Sequence, residues 1–289
     1  MCIFSGAHPD VSKTRILVAW VANRVQLVVY QNDVKLNSGK DNAALGTAMI
    51  LPIPGGNVRM VDLSAYPTLF DDLKIDFPDP VYKGMTRGSK TIELSAPLAI
   101  QRVGSYDVSL APSLNALKNL DWTHFAMDAD VMRLLEHDYG RGFSFCVARL
   151  RPDARGNPHA IAYVHDNIDD RLFVPTRHAG HNKQTQGVRP AKRAKTAVAD
   201  SVEWDHHIYA YVGSTIAPGM GIGNGGVIGS KLHLKKNTIT GALPEGCVLP
   251  VAESTVMRKF EVRGSAPNAD MWITHHGDKW EMEEDVRAK

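Results

Sequence analysis

Arg15-Ile16-Leu17-Val18-Ala19-Trp20 and, a few residues on, Val25-Gln26-Leu27-Val28-Val29-Tyr30 are the stretch on which the fold class turns. Both halves are short apolar runs rich in β-branched side chains, and the polar break Ala22-Asn23-Arg24 between them suits a hairpin connection. Outward from this pair the same signal repeats. Residues 48–53 form an apolar run that meets Pro52 and Pro54 and turns through Gly55-Gly56-Asn57 into 58–61, which predicts a second hairpin. Residues 91–94, 98–103 and 106–110, broken by Pro97 and Gly104, read as an antiparallel meander. Residues 143–150, 159–165, 172–175, 204–212, 247–251, 256–262 and 271–274 read as further strands.

Helices are few and lie between these runs. Leu69, Phe70 and Leu73 fall at helical spacing within 65–74, with Ser64 as the expected cap and Pro78 beyond the end. Ser113 caps 114–120, and Val131, Leu134 and Leu135 mark one face of 129–137, which stops at Gly140. Many antiparallel strands with interspersed helices predict an α+β fold, built from two stacked sheets with outer helices or from one large curved sheet. The chain reads as a single domain over 1–289, with an internal division near 140–156, a basic loop over 183–199 and a charged tail over 278–289.

The 289 residues are 44% hydrophobic and 22% charged, which is enough apolar material for a packed core. Lys and Arg number 33 against 31 Asp and Glu, a balance that does not point to nucleic acid. The three cysteines, Cys2, Cys146 and Cys247, have no CxxC spacing, so neither a disulfide framework nor a cysteine zinc knuckle is expected. The start lacks the features of a signal peptide, and no apolar run approaches the roughly 18 residues a spanning helix needs. A soluble, cytoplasmic protein is the expectation.

Chemistry is concentrated first at Met1-Cys2. Removal of Met1 would leave a thiol and an α-amine on one residue, and an amine with a pKa of about 8 can take the thiol proton near neutrality. Cys2 is therefore the candidate nucleophile, with Asn32 as a candidate donor to the oxyanion. A Met-Cys start leading into strands resembles the cysteine members of the N-terminal nucleophile hydrolases, such as the choloylglycine hydrolase-like amidases, and the resemblance implies amide hydrolysis by Cys2. It covers two residues and a general topology. The Arg-Asn-Met-Asp type motif of those amidases has no counterpart in Tyr30-Gln31-Asn32-Asp33, and the Cys-Gly-Ile start of class II glutamine amidotransferases is replaced by Cys2-Ile3-Phe4. Met1-Cys2, residues 48–55, residues 172–176 and Asp205-His206 are also similar to a scattered family of proteins of unknown activity, which implies one evolved unit and no particular reaction.

The histidines are the second concentration. His178 and His181 in Arg177-His178-Ala179-Gly180-His181, with His206 from Asp205-His206-His207, make a candidate set for a divalent metal. Neighbouring strand residues face opposite ways, so only one of His206 and His207 can join it. Lys183, Arg189, Lys192, Arg193 and Lys195 lie in a stretch without acidic residues but also without interleaved aromatics, so nucleic-acid contact is not favoured. Gly221-Ile222-Gly223-Asn224-Gly225-Gly226 matches GxGxxG outside any strand-to-helix context and predicts no dinucleotide. Ser144, Cys146 and Cys247 sit in apolar surroundings and read as packing. With each catalytic pattern missing a part, the preferred reading is a non-catalytic binding or assembly protein with protein partners or self-assembly and no cofactor; the Cys2 hydrolase and a histidine metal enzyme are the alternatives.

Overall fold

The structure, a computed structural model, describes residues 3–7, 10–35, 48–78, 100–120, 125, 127–151, 158–181, 201–212, 226–228, 231–250, 255–276 and 279–285. The opening stretch forms the predicted hairpin: β2 (Asp10–Ala22) and β3 (Val25–Lys35) pair antiparallel with Ile16 opposite Tyr30 and Val18 opposite Val28. Arg24 takes a left-handed φ of 54° in the connection, the backbone such tight turns demand. Both faces of the hairpin are buried. Ile16, Val18, Val28 and Tyr30 point into one core and Leu17, Ala19, Leu27 and Val29 into another, which is why the sequence runs apolar without alternation.

The hairpin is the centre of a seven-stranded sheet. It continues on one side through β12 (Ser201–Val212), β14 (Val256–Pro267) and β13 (Gly226–Ile228), and on the other through β9 (Ile161–Asp166) and β5 (Gly56–Val61). All these pairings are antiparallel except β2 with β12. A six-stranded sheet runs β11 (Ala179–His181), β1 (Ile3–Ala7), β4 (Ala48–Pro54), β8 (Phe143–Leu150), β7 (Tyr106–Ala111) and β6 (Gln101–Val103). Among the described residues a third sheet holds β10 (Leu172–Val174), β15 (Met271–His276) and β16 (Lys279–Glu284).

The two large sheets stack. Met49, Leu51, Cys146 and Ala148 of the six-stranded sheet share a core with Val18, Val28, Tyr163 and Ile208 of the seven-stranded one. The helix Leu69–Asp76 covers the outer face of the seven-stranded sheet, with the helix Lys236–Ala242 beside it. The helices Leu114–Lys118 and Ala129–Asp138 cover the outer face of the six-stranded sheet. The fold is therefore α+β with stacked, largely antiparallel sheets and outer helices, as the pattern of runs predicts. The Ser113 hydroxyl accepts from the Ala116 amide at 3.2 Å, the expected cap.

Four local expectations are corrected. Strands β4 and β5 do not form a hairpin, because the chain changes sheets between them. Gly55 makes that crossing at φ 101°, where an added Cβ would lie 1.9 Å from the Asp166 carbonyl oxygen. Ser64 is not a helix cap: its amide donates to Asp62 in a turn, and the helix starts after Thr68. Residues 247–250 form no strand, and the Val248 amide instead donates to the Val21 carbonyl at the hairpin end. Within the expected charged tail, residues 279–284 form strand β16, where the side chains of Trp280 and Met282 alternate with its charges. The helix Lys236–Ala242 was not expected, since Thr238, Ile239, Thr240 and Gly241 are weak helix formers; burial of Ile239 against Leu234 and Leu249 holds it.

Candidate functional site

The chain passes from β10 in the small sheet to β11 in the six-stranded sheet through residues 175–178, and there all three sheets meet. Asp270, in the turn between β14 and β15, receives the Thr176 and Arg177 amides on Oδ1 at 2.8 and 2.9 Å. The Tyr139 hydroxyl, just past the helix Ala129–Asp138, donates to Oδ2 at 2.5 Å. The side chain of Arg177 turns back to pair with buried Asp138 at 2.8 Å. Asn268 grips the next residue like a strand neighbour, taking the His178 amide at 2.7 Å and donating to the His178 carbonyl at 2.8 Å.

Burial dominates the electrostatics of this joint. It pushes the Asp270 carboxyl up to about 6, against the hydrogen bonds from Tyr139, Arg177 and Thr176 that pull it down. It also raises the Tyr139 hydroxyl well above its ordinary range, reinforced by the carboxylate beside it. With Asp270 and Tyr139 each only 3% exposed, the network ties segments together rather than facing a ligand. Gln26 makes a second tie of the same kind. Its buried Nε2 donates to the Phe173 carbonyl at 2.6 Å and its Oε1 accepts from the Phe173 backbone amide at 3.0 Å and the Asn167 side-chain amide at 2.7 Å, which joins the central hairpin to β10.

Two of the candidate metal ligands come together at this joint. The His178 and His206 rings stack with centroids 5.2 Å apart and planes 22° apart, and Trp204 lies against both at 5.1 and 4.6 Å. His181 is placed in β11 opposite Ala7 of β1, and its side chain lies outside what the structure describes. Among the described residues, no group of three or more His, Cys, Asp or Glu side chains is arranged to hold a metal ion.

Cys2 lies outside the described residues, as do the basic residues Lys183, Arg189, Lys192, Arg193 and Lys195 and the glycine run 221–225. Asn32 is buried on the inter-sheet side of β3, its amide nitrogen 3.9 Å from the Met49 sulfur. Met49 is in turn the register partner of Phe4, so the fold brings Asn32 into the layer that holds the start of β1. Cys146 is fully buried and its thiol is pushed up to about 12, and the Ser144 hydroxyl donates to the Gly55 carbonyl at 2.8 Å. Both are packing residues.

The joint at 175–178 was not legible beforehand, because Asp270, Tyr139 and Asn268 are single polar residues far apart in the chain; a polar residue inside an otherwise apolar run, as with Gln26 in β3, is the available signal. A further anchor was also missed. Asp76 receives the His233 amide at 2.9 Å and its ring at 2.6 Å, and the Lys259 ammonium reaches the Phe77 carbonyl at 3.5 Å. Together they fix the end of the helix Leu69–Asp76 to the seven-stranded sheet. No helix among the described residues is long and apolar enough to cross a membrane.

No family model matches the chain, and no curated protein matches it. Among solved structures, baculovirus P35 is similar over 99% of this chain and 100% of its own, with a TM-score of 0.50 and 15% identity. A mutated baculovirus P35 after caspase cleavage covers 97% of this chain and 100% of its own, with a TM-score of 0.40 and 15% identity. A chain of a caspase-8/P35 complex covers 96% of this chain and 86% of its own, with a TM-score of 0.37 and 12% identity. At this level of identity the likeness to P35 is one of fold, and it runs the length of both chains.

Proposed function

We propose that this chain is a non-catalytic protein-binding protein whose partner is a caspase-type cysteine protease. The observation that carries the reading is the match to baculovirus P35 over 99% of this chain and all of that one, a protein solved both in complex with caspase-8 and after caspase cleavage. The described architecture is compatible with it. The ionisable groups at the three-sheet joint serve internal hydrogen bonds, and the chain leaves the helix Leu69–Asp76 from a point anchored by His233 and Lys259.

The test is direct. The purified chain is mixed with active caspase-8, residual activity is followed on a fluorogenic substrate, and the mixture is resolved by size-exclusion chromatography and intact-mass measurement. A co-eluting complex with loss of protease activity is expected. A protease that stays fully active and elutes alone in the presence of excess chain overturns the reading.

A further inference from the structure

The three-stranded sheet ends at β16, and among the described residues no strand lies along its far edge. The backbone shows which groups face outward there. The Asp285 amide donates to the Asp270 carbonyl at 2.7 Å, and the register continues with Met271 opposite Glu284 and His275 opposite Trp280. Bonded and non-bonded pairs alternate in an antiparallel ladder. Glu283, Glu281 and Lys279 therefore bond inward to β15, while Trp280, Met282 and Glu284 turn their N–H and C=O groups to the open edge.

The side chains divide the edge into two unlike faces. Trp280 and Met282 lie with Phe260 and Val262 of β14, all four only partly buried against the inter-sheet core. The Trp280 ring stands 4.6 Å from His275 and 6.2 Å from Phe260, with the Arg258 guanidinium 5.7 Å away. On the opposite face Lys279, Glu281 and Glu283 are exposed, and the Arg171 that reaches Glu283 at 3.4 Å is shared with Asp169 at 2.7 Å. Among the described residues the outward backbone groups of this strand have no partner, and it carries a half-open apolar stripe of Trp280 and Met282 on one side and the carboxylates of Glu281 and Glu283 on the other.

We propose that the β16 edge is a protein-binding surface that takes an extended partner segment of alternating apolar and basic residues as a fourth strand. Strand addition draws its affinity from main-chain hydrogen bonds and its specificity from alternate side chains. Here one set would pack on Trp280, Met282, Phe260 and Val262 and the other would face Glu281 and Glu283. A basic segment suits this edge better than a second copy of this chain, since two copies of β16 together bring six glutamates and only two lysines. This surface is independent of the caspase reading.

The full chain is titrated into a fluorescein-labelled peptide of alternating valine and lysine, with anisotropy as the readout and amide exchange to locate the contact. Binding with protection at Trp280, Met282 and Glu284 is expected. The double reversal Glu281→Lys and Glu283→Lys should weaken it by about tenfold or more, and a valine–glutamate peptide should not bind. Met282→Pro removes one outward N–H without touching the bonds to β15 and should weaken binding to a similar degree, roughly tenfold. Protection elsewhere, equal binding of the acidic peptide, unchanged binding by folded variants, or self-association through β16 each overturn the proposal. The exchange measurement on the unaltered chain decides by itself if a variant does not fold.

Discussion

Asp270 is the residue at which single-group chemistry is most exposed to test. Its carboxyl sits near 6 in the fold and near 3.9 in an unfolded chain, so between those values the folded state holds more protons. Stability from this group is present below about pH 4 and is lost as pH rises through 6, a difference of about 3 kcal/mol. His165 works in the opposite sense, because burial lowers it to about 4 and its contribution is lost as pH falls from 6.5. The difference between the chain and its Asp270→Asn variant isolates the first effect. Urea unfolding from pH 4 to pH 7 should show stability of the unaltered chain falling relative to the variant as pH rises, and parallel curves would mean Asp270 does not titrate in this range.

Among the elements, the crossing at Gly55 and the tie at Gln26 hold the sheets in relation to one another. Gly55→Ala should cost about 3 kcal/mol in urea unfolding, because a side chain at φ 101° is strained and would meet the Asp166 carbonyl. The adjacent Gly56 has nothing within reach of an added Cβ, and Gly56→Ala serves as a near-neutral control. Gln26→Leu keeps the volume but leaves the buried amide and carbonyl of Phe173 without their partner. A loss of at least about 2 kcal/mol is expected, with increased amide exchange in β10 before global unfolding. Most strands could be read beforehand because burial on both faces leaves long apolar runs. The helix Lys236–Ala242 and strand β16 could not, since the first has poor propensity and the second alternates with charge; each depends on a surface supplied by distant chain.

For the whole molecule, two binding readings follow from different evidence. The caspase reading rests on a fold shared from end to end with P35, and the chromatographic and activity measurements above check it. The β16 edge rests on strand geometry and charge, and a basic peptide checks it separately. Of the residues singled out from sequence, the fold unites His178 with His206 and sets Asn32 beside Met49, while Cys2 lies outside the described residues. In the sequence each catalytic pattern lacks a part, and the proposed partner class comes only from the likeness of fold.

By itself the sequence determined the class of this protein. Apolar runs of strand length, capped helices such as that after Ser113 and an open-ended set of polar candidates are local properties, set by side-chain type and spacing. Which sheet each strand joined was decided only in three dimensions. Residues 48–61 look like a hairpin locally, yet β4 and β5 go to opposite layers because the partners that bury them, β8 and β9, lie about a hundred residues away. The joint of Asp270, Tyr139, Asn268 and His178, and the open edge of β16, arise the same way, from contacts between distant residues that no local pattern encodes.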